Sequence, residues 1–452
     1  MIFAALMLIG WFTLKASVYS SDLSTFSYFD FGSPMGKHTA WVVVAMAVMV
    51  VTLVVDWQLW SYFAYPIYAI TIVMLLLVLL LGTEIKGATS WFTLGSVSIQ
   101  PSEFAKFGTC LAISSYLSHY SVDLRKRQAI LTTAMILGVP MLLIMLQPDA
   151  GSALVFTSFL ILLYIKGLSP DFYIYIFVLT SILILSLMIG PELVMCGAVL
   201  GAFLLLLSKQ AESRTVVIAG LVGLIVWYAA YQQGYNIYVF MAYLVIAVAM
   251  GIRLFVMREQ RLATLVLTGI VLCGFVAYGS SMLFNNVLQP HQQDRINVWL
   301  RPDKCDPQGS LYNVLQSKLA IGAGGFAGKG HLNGTMTKLN YVPEQSTDFI
   351  FSIVGEEQGF LGSLVVIGLF VMLLIRIVSI AERGKTPFVR CYGYGVAGIF
   401  FVHFAVNIGM SVGLMPIIGI PLPFLSKGGS AMIAFTLMLG VLLRMDLSRH
   451  RA

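Results

Sequence analysis

Long runs of apolar residues, broken by short polar segments, recur along the chain from Met1 to Leu443. Each is of a length suited to crossing roughly 30 Å of hydrocarbon as a helix. The windows fall near residues 1–19, 39–55, 60–82, 103–119, 129–147, 150–167, 172–190, 191–208, 215–231, 236–252, 262–284, 348–375, 391–413 and 428–445, fourteen in all. Two breaks are narrow, Gln147-Pro148-Asp149 and Gly190-Pro191, each a Pro-containing turn between runs that nearly fuse. Losing either break would invert the sidedness of every later span. The first run has neither a basic leader nor a small-residue cleavage site, so it is expected to be an uncleaved first span. The pattern predicts an all-α polytopic membrane protein, a single helical bundle without internal repeats, low-complexity tracts or a soluble appendage.

Composition sharpens this. With 452 residues, 59% hydrophobic and only 10% charged, and a mean hydropathy of +0.89, the chain lies outside the range of water-soluble enzymes. A net charge of +7 would suit a nucleic-acid binder, but the 27 Lys and Arg residues gather in short clusters between apolar runs. That is the positive-inside signature, and no nucleic-acid partner is expected. Counting spans from a cytoplasmic N-terminus, Arg125-Lys126-Arg127, Lys166, Lys209 with Arg214, and Arg253 with Arg258 and Arg261 all face inward. Arg376, Arg383, Lys385, Arg390 and the tail from Arg444 to Arg451 do the same. The outer face then holds the connections 20–38, 83–102 and about 285–347. Cys110, Cys196, Cys273 and Cys391 lie inside apolar runs and Cys305 alone in a loop, with no disulfide framework or CxxC pair.

Polar residues near or inside spans carry the chemical information, because a charge at a helix centre costs roughly 2.5–3.5 kcal/mol on insertion scales. In Gln100-Pro101-Ser102-Glu103-Phe104-Ala105-Lys106, Glu103 and Lys106 share one helix face. Two readings stand for them. One is a Ser102 N-cap with Glu103 at the positive end of the helix dipole and Lys106 snorkelling or paired; the other is an inward ammonium offered to an anionic lipid head group. Asp348 opens a long apolar helix, as an N-cap or as a functional acid. Glu356 and Glu357, roughly 12 Å further along at helical rise, are expected to pair structurally with another helix. The glycine-dense stretch Ala320 to Gly330 resembles a phosphate cradle but fails as a Walker A loop, since Ala323 and Gly330 stand where glycine and Ser or Thr are required. Its glycines are expected to allow unusual backbone angles or close approach of a bulky ligand.

Taken in order, these groups resemble the SEDS family of cell-wall polymerases. The motifs are Gly87-Ala88 with Trp91, Gln100-Pro101-Ser102-Glu103 with Lys106, and Gln147-Pro148-Asp149. The outer loop adds Gln293-Asp294-Arg295-Ile296, Asp306-Pro307-Gln308-Gly309, Gln316-Ser317, Gly328-Lys329-Gly330, Val342-Pro343-Glu344 and Thr347-Asp348-Phe349-Ile350-Phe351. Asn407-Ile408-Gly409-Met410, Pro421-Leu422-Pro423-Phe424 and Gly428-Gly429-Ser430 complete the series, and the glycine segments resemble the elongation branch more than the division branch. The match covers most of the chain outside about 175–260. The chain departs from the family in having Ser90 where an Arg is common, Lys427 where a Tyr is common, and fourteen predicted spans against a family core of ten. The expected organisation is therefore 1–174 as the first part of the core, 175–260 as about four inserted helices, and 261–452 as the second part with the outer loop 285–347.

The resemblance implies a peptidoglycan glycosyltransferase that polymerises lipid II, the undecaprenyl-pyrophosphate disaccharide-pentapeptide, during cell elongation and shape maintenance. It implies a multi-pass protein of the bacterial inner membrane with both termini cytoplasmic and the site on the outer face. A class B penicillin-binding protein and other elongation proteins are the implied partners. By resemblance Asp348 is the catalytic carboxylate. Lys106, braced by Glu103, is the expected pyrophosphate contact, with Arg295, Gln316, Lys329 and Glu344 shaping the cavity or folding the loop. Lys427 could replace the charge missing at Ser90. No cofactor is certain; a divalent cation could bridge the pyrophosphate, although no dedicated metal site is visible. Two rivals remain, a flippase for the same precursor, which would spread polar residues through the membrane depth, and a scaffold without chemistry, which would not need Asp348 and Lys106 apart from folding.

Overall fold

The computed structural model describes residues 1–18, 33–85, 87–95, 97–207, 213–234, 260–305 and 309–448, with isolated positions between 238 and 249. Most of the predicted span 236–252 and of the connection 20–38, together with Lys209, Arg253, Arg258, Asp306-Pro307-Gln308 and the tail beyond Ser448, lie outside the described residues. The molecule divides into two compact units, Met1–Ser169 with Asp306–Ala452, and Pro170–Cys305.

The first unit begins with α1 (Ile2–Val18), α2 (Pro34–Val54) and α3 (Ala64–Leu81). α2 starts earlier than its apolar window because Ser33 caps it, accepting from the Gly36 amide at 3.0 Å, with Pro34 in the first turn. The next connection forms an antiparallel sheet in the order β1 (Thr83–Ile85), β2 (Ala88–Leu94), β3 (Val97–Ile99). Hydropathy alone marks this stretch only as a polar connection. β2, Ala-Thr-Ser-Trp-Phe-Thr-Leu, is rich in β-branched and aromatic residues and is flanked by Gly87 and Gly95 at positive φ, a hairpin composition.

There follow α4 (Pro101–Ser118), α5 (Arg127–Leu146) and α6 (Ala150–Ile165). The Gln147-Pro148-Asp149 break is a true reversal. Asp149 caps α6 by accepting from Ser152 N at 3.0 Å, and Gln100 donates to the same carboxylate at 2.9 Å. Burial is inverted relative to a soluble bundle. α4, the helix with Glu103 and Lys106, has 15 of its 18 residues buried, whereas apolar α5 buries only Ala129, Thr133, Pro140 and Ile144. Lipid accepts an apolar surface without penalty, so polar and small residues go to helix–helix contacts.

The second unit contains α7 (Pro170–Ile189), α8 (Pro191–Leu207), α9 (Ser213–Gln233), α10 (Gln260–Asn286) and α11 (Pro290–Leu300). The Gly190-Pro191 break is also a reversal, with Gly190 at φ 98 between packed α7 and α8. Val194 and Met195 of α8 pack with Cys273 and Ala277 of α10, and Ser186 donates to Ala277 O at 2.7 Å.

The first unit resumes with α12 (Ser310–Ala323), the single turn α13 (Thr335–Lys338), α14 (Ile350–Glu382), α15 (Pro387–Ser411) and α16 (Gly429–Ser448). α14 packs on α15 and α12, α15 on α4, and α16 on α2. Eight helices among the described residues are long and apolar enough to cross a membrane, and α1, α6 and parts of α8 and α9 are shorter apolar helices. The chain is a multi-pass helical membrane protein.

Candidate active site

The chain entering α14 is fixed before any side-chain chemistry is considered. Glu344 adopts a left-handed φ of 56, and its carbonyl accepts from the amides of Thr347 and Asp348, each at 3.1 Å, and of Phe349 at 3.4 Å. The carbonyls of Ser346, Thr347 and Asp348 are each taken by a different donor. Lys427 N donates to Ser346 O (2.8 Å), Ser426 Oγ to Thr347 O (2.6 Å) and Asn407 Nδ2 to Asp348 O (2.9 Å). Two elements, α15 and the segment just before α16, thus hold a segment of three residues. The helix itself starts at Ile350 with Phe349 as N-cap and no side-chain cap bond, so Asp348 is not the cap that one sequence reading allowed. Its half-exposed carboxylate lies beside Gly419, where an added Cβ would sit 3.4 Å from Asp348 Oδ2. Glu344 therefore belongs to the site through the turn it makes, while its own exposed carboxylate accepts from Thr347 Oγ1 at 3.1 Å.

Lys106 occupies a different position from the one expected of a ligand contact. It is wholly buried, its Nζ 2.8 Å from Glu103 Oε2, 2.9 Å from His403 Nε2 and 5.6 Å from the Phe435 ring centre. His403 Nδ1 lies 2.9 Å from the Pro421 carbonyl, which can only accept, so Nδ1 carries the proton and Nε2 accepts from the ammonium. A buried ammonium requires such partners, and here they enclose it, so Lys106 is not presented to a surface ligand in this conformation. The start of α4 also differs in detail. Gln100 is the N-cap, Pro101 follows, and Ser102, read as the cap from sequence, instead bonds Ser152 Oγ at 3.2 Å.

The glycine-rich loop is absorbed by α14. Gly324 and Gly328 lie so close to the backbone of Gly355, Glu357 and Gln358 that a Cβ at either would overlap it, and Gly328 has φ 81. The close approach foreseen for a bulky ligand is made to a helix. Glu356 and Glu357 are correspondingly not buried against another span. Glu356 accepts from Lys329 Nζ (2.7 Å), Met336 N (2.9 Å), Thr337 N (2.9 Å) and Thr337 Oγ1 (2.7 Å), while Glu357 accepts from Leu332 N (3.0 Å) and lies 3.1 Å from His331 Nδ1. Lys329, expected to line the cavity, thus serves to fold the loop. α14 breaks at Gly359 (φ 65, ψ −157), where the loop returns two further bonds, Phe360 N to Gly325 O and Leu361 N to Phe326 O.

Of the other candidates, Gln316 is half-buried on α12, beside Ser317, whose hydroxyl donates to Ser411 O (2.9 Å) and ties α12 to the end of α15. Arg295 is half-buried on α11 in the second unit. Ser90 is buried in β2, and Lys427 is exposed next to the Asp348 segment. His403 was missed from sequence. Its signal was a histidine four residues before Asn407 inside an apolar helix, where a polar pair on one face is not there for solvation.

Fold and site together define a many-span helical membrane protein with an acid, Asp348, on a backbone segment held by α15 and the segment before α16. The chain belongs to the FtsW/RodA/SpoVE family, whose model, described as a cell cycle protein, matches residues 1–197 and 191–451. It is 32% identical over 411 residues to the peptidoglycan glycosyltransferase RodA of Treponema pallidum (strain Nichols), covering 90% of this chain and 88% of that one. It is 30% identical over 371 residues to the peptidoglycan glycosyltransferase MrdB of Escherichia coli (strain K12), covering 82% and 73%. A chain solved in a peptidoglycan synthase complex that coordinates polymerization and crosslinking shares the fold, with a TM-score of 0.63 at 23% identity and coverage of 100% and 97%.

Proposed function

We propose that this chain is a peptidoglycan glycosyltransferase that polymerises lipid II for cell-wall elongation, working at the outer face of the bacterial inner membrane with a class B penicillin-binding protein. The observation that carries the reading is the Asp348 carboxylate, half-exposed on a backbone pinned at three consecutive carbonyls and not engaged as the helix cap. In the transfer, an acceptor sugar hydroxyl attacks the anomeric carbon of the donor. The new C–O bond forms as the bond to the undecaprenyl diphosphate breaks, and Asp348 takes the hydroxyl proton. The departing diphosphate needs positive charge. Lys427, exposed and bonded through its backbone to the residue two before Asp348, replaces Lys106 as the proposed contact. A divalent cation on the diphosphate oxygens would supply the same neutralisation; adding a chelator to the assay should then lower the rate, and an unchanged rate removes the metal from the scheme.

The flippase reading is disfavoured by where the buried charges are. Among the described residues the buried Asp, Glu, Lys and Arg side chains are Glu103, Lys106, Glu356 and Glu357, all in the opening turns of α4 and α14. A translocation path would place them along the depth. The deciding test is lipid II polymerisation by the purified chain with its partner. Asp348→Asn should abolish polymer while thermal stability stays at the wild-type level, and normal polymer from that variant would refute the base assignment.

A further inference from the structure

α15 presents His403 and Asn407 one turn apart on a single face, and both are wholly buried. Asn407 Nδ2 has two hydrogens and two acceptors, Asp348 O at 2.9 Å and Ile420 O at 2.8 Å. His403 Nδ1 donates to the next carbonyl of the same strand of chain, Pro421 O, at 2.9 Å, and its Nε2 receives Lys106 Nζ at 2.9 Å. The imidazole is locked against rotation by edge-to-face packing on Phe435, with ring centres 4.8 Å apart. We propose that His403 and Asn407 form a two-point clamp that positions the Asp348 carboxylate for catalysis, with Lys106 acting through His403 and not on substrate.

The chemistry follows from the donors. The Ile420-Pro421 segment precedes Ser426 and Lys427, the other two donors to the carbonyls around Asp348, and it follows Gly419, over which the carboxylate lies. Fixing Ile420 and Pro421 therefore sets the floor beneath the carboxylate and the strand that holds its backbone. Lys106 polarises the imidazole at Nε2 and so strengthens the Nδ1–H bond to Pro421, and Glu103 keeps the ammonium charge compensated. A neutral imidazole is required. Were Nε2 protonated, two cationic donors would face each other at hydrogen-bonding distance.

This inference rests on the glycosyltransferase reading, because its readout is polymerisation rate. The experiment compares full-length wild type with H403Q, H403F and H403N in the lipid II assay with the partner, alongside thermal unfolding of each. Glutamine can accept from Lys106 through its carbonyl and donate to Pro421 through its amide. H403Q should keep kcat within about threefold. Phenylalanine fills the site without polar atoms, and H403F should lower kcat at least about tenfold while the KM for lipid II stays within about twofold. H403N, one methylene shorter than glutamine and unable to span both partners, should behave like H403F, and it decides the matter if H403F does not fold. Wild-type kcat in folded H403F or H403N, or a loss in H403Q as deep as theirs, overturns the clamp. Failure of wild type itself to make polymer would sink the parent reading, so the two failures are separable in one series.

Discussion

Lys106 shows how far a residue's type and spacing constrain its role. The three-residue spacing to Glu103 predicted a shared helix face, and the pair does form, but only the fold reveals that the face points into the bundle toward His403. The sequence offered an anionic ligand for the same ammonium because both readings put a cation near an anion. Burial separates their consequences. Lys106→Met would leave the Glu103 carboxylate buried without its counter-charge, a loss of about 3–5 kcal/mol. The expected outcome is a lower unfolding temperature in detergent, with Glu103→Gln added in the same chain restoring most of it without restoring polymer synthesis. Lys427→Ala should behave in the opposite way, leaving the unfolding temperature unchanged while raising the KM for lipid II, and an unchanged KM would remove it from the diphosphate contact. Asp348 was singled out by its motif alone; the turn at Glu344 that precedes it was visible only as a neighbouring motif, since a left-handed non-glycine residue leaves no mark in composition.

At the scale of elements, the helix that begins after Asp348 is two helices in one line. Apolar content predicted a single span over 348–375, and the helix runs to Glu382 with a break at Gly359. From Ile350 to Glu357 every residue is buried, because the outer loop folds over this half and covers its two acids. Gly359 occupies a backbone region almost restricted to glycine, and a Cβ there would strike the Gly328 amide. Gly359→Ala should therefore destabilise by about 1–3 kcal/mol or more and make the loop between Gly324 and Thr337 cleavable by protease at temperatures where wild type resists. Lys329→Met should be mild, about 1 kcal/mol, since its side chain is 27% exposed and Glu356 keeps its bonds to Met336 and Thr337. Glycine density was visible in the sequence. That it serves helix–loop contact and not a phosphate was not, because both demand the same absence of a side chain.

For the whole molecule, the ends of the first unit differ in charge. Asp348, Glu344 and the starts of α4 and α16 gather at one end, whereas the other carries Arg383, bonded to Asp446, and Arg444, bonded to the Val55 carbonyl. In the proposed orientation the second end faces the cytoplasm, as the positive-inside rule expects. In a Cys305→Ser background, Glu344→Cys should react with an impermeant thiol reagent added to intact spheroplasts and Lys385→Cys only after lysis. The reverse pattern would place the proposed site on the wrong face. The apolar pattern determined on its own that the chain crosses a membrane repeatedly and roughly where the long helices of the described residues lie, because hydrocarbon leaves the backbone almost no other way to satisfy its hydrogen bonds. Motif order determined the family. Only the tertiary structure decided which polar residues meet: it enclosed Lys106 between Glu103 and His403, gave Lys329 to Glu356, joined Asn407 to the Asp348 segment and His403 to Pro421, and left Lys427 exposed beside that segment. Those outcomes depend on which helix faces become neighbours, and in a bundle whose outer surfaces are uniformly apolar the local pattern of hydrophobicity does not say which face is which.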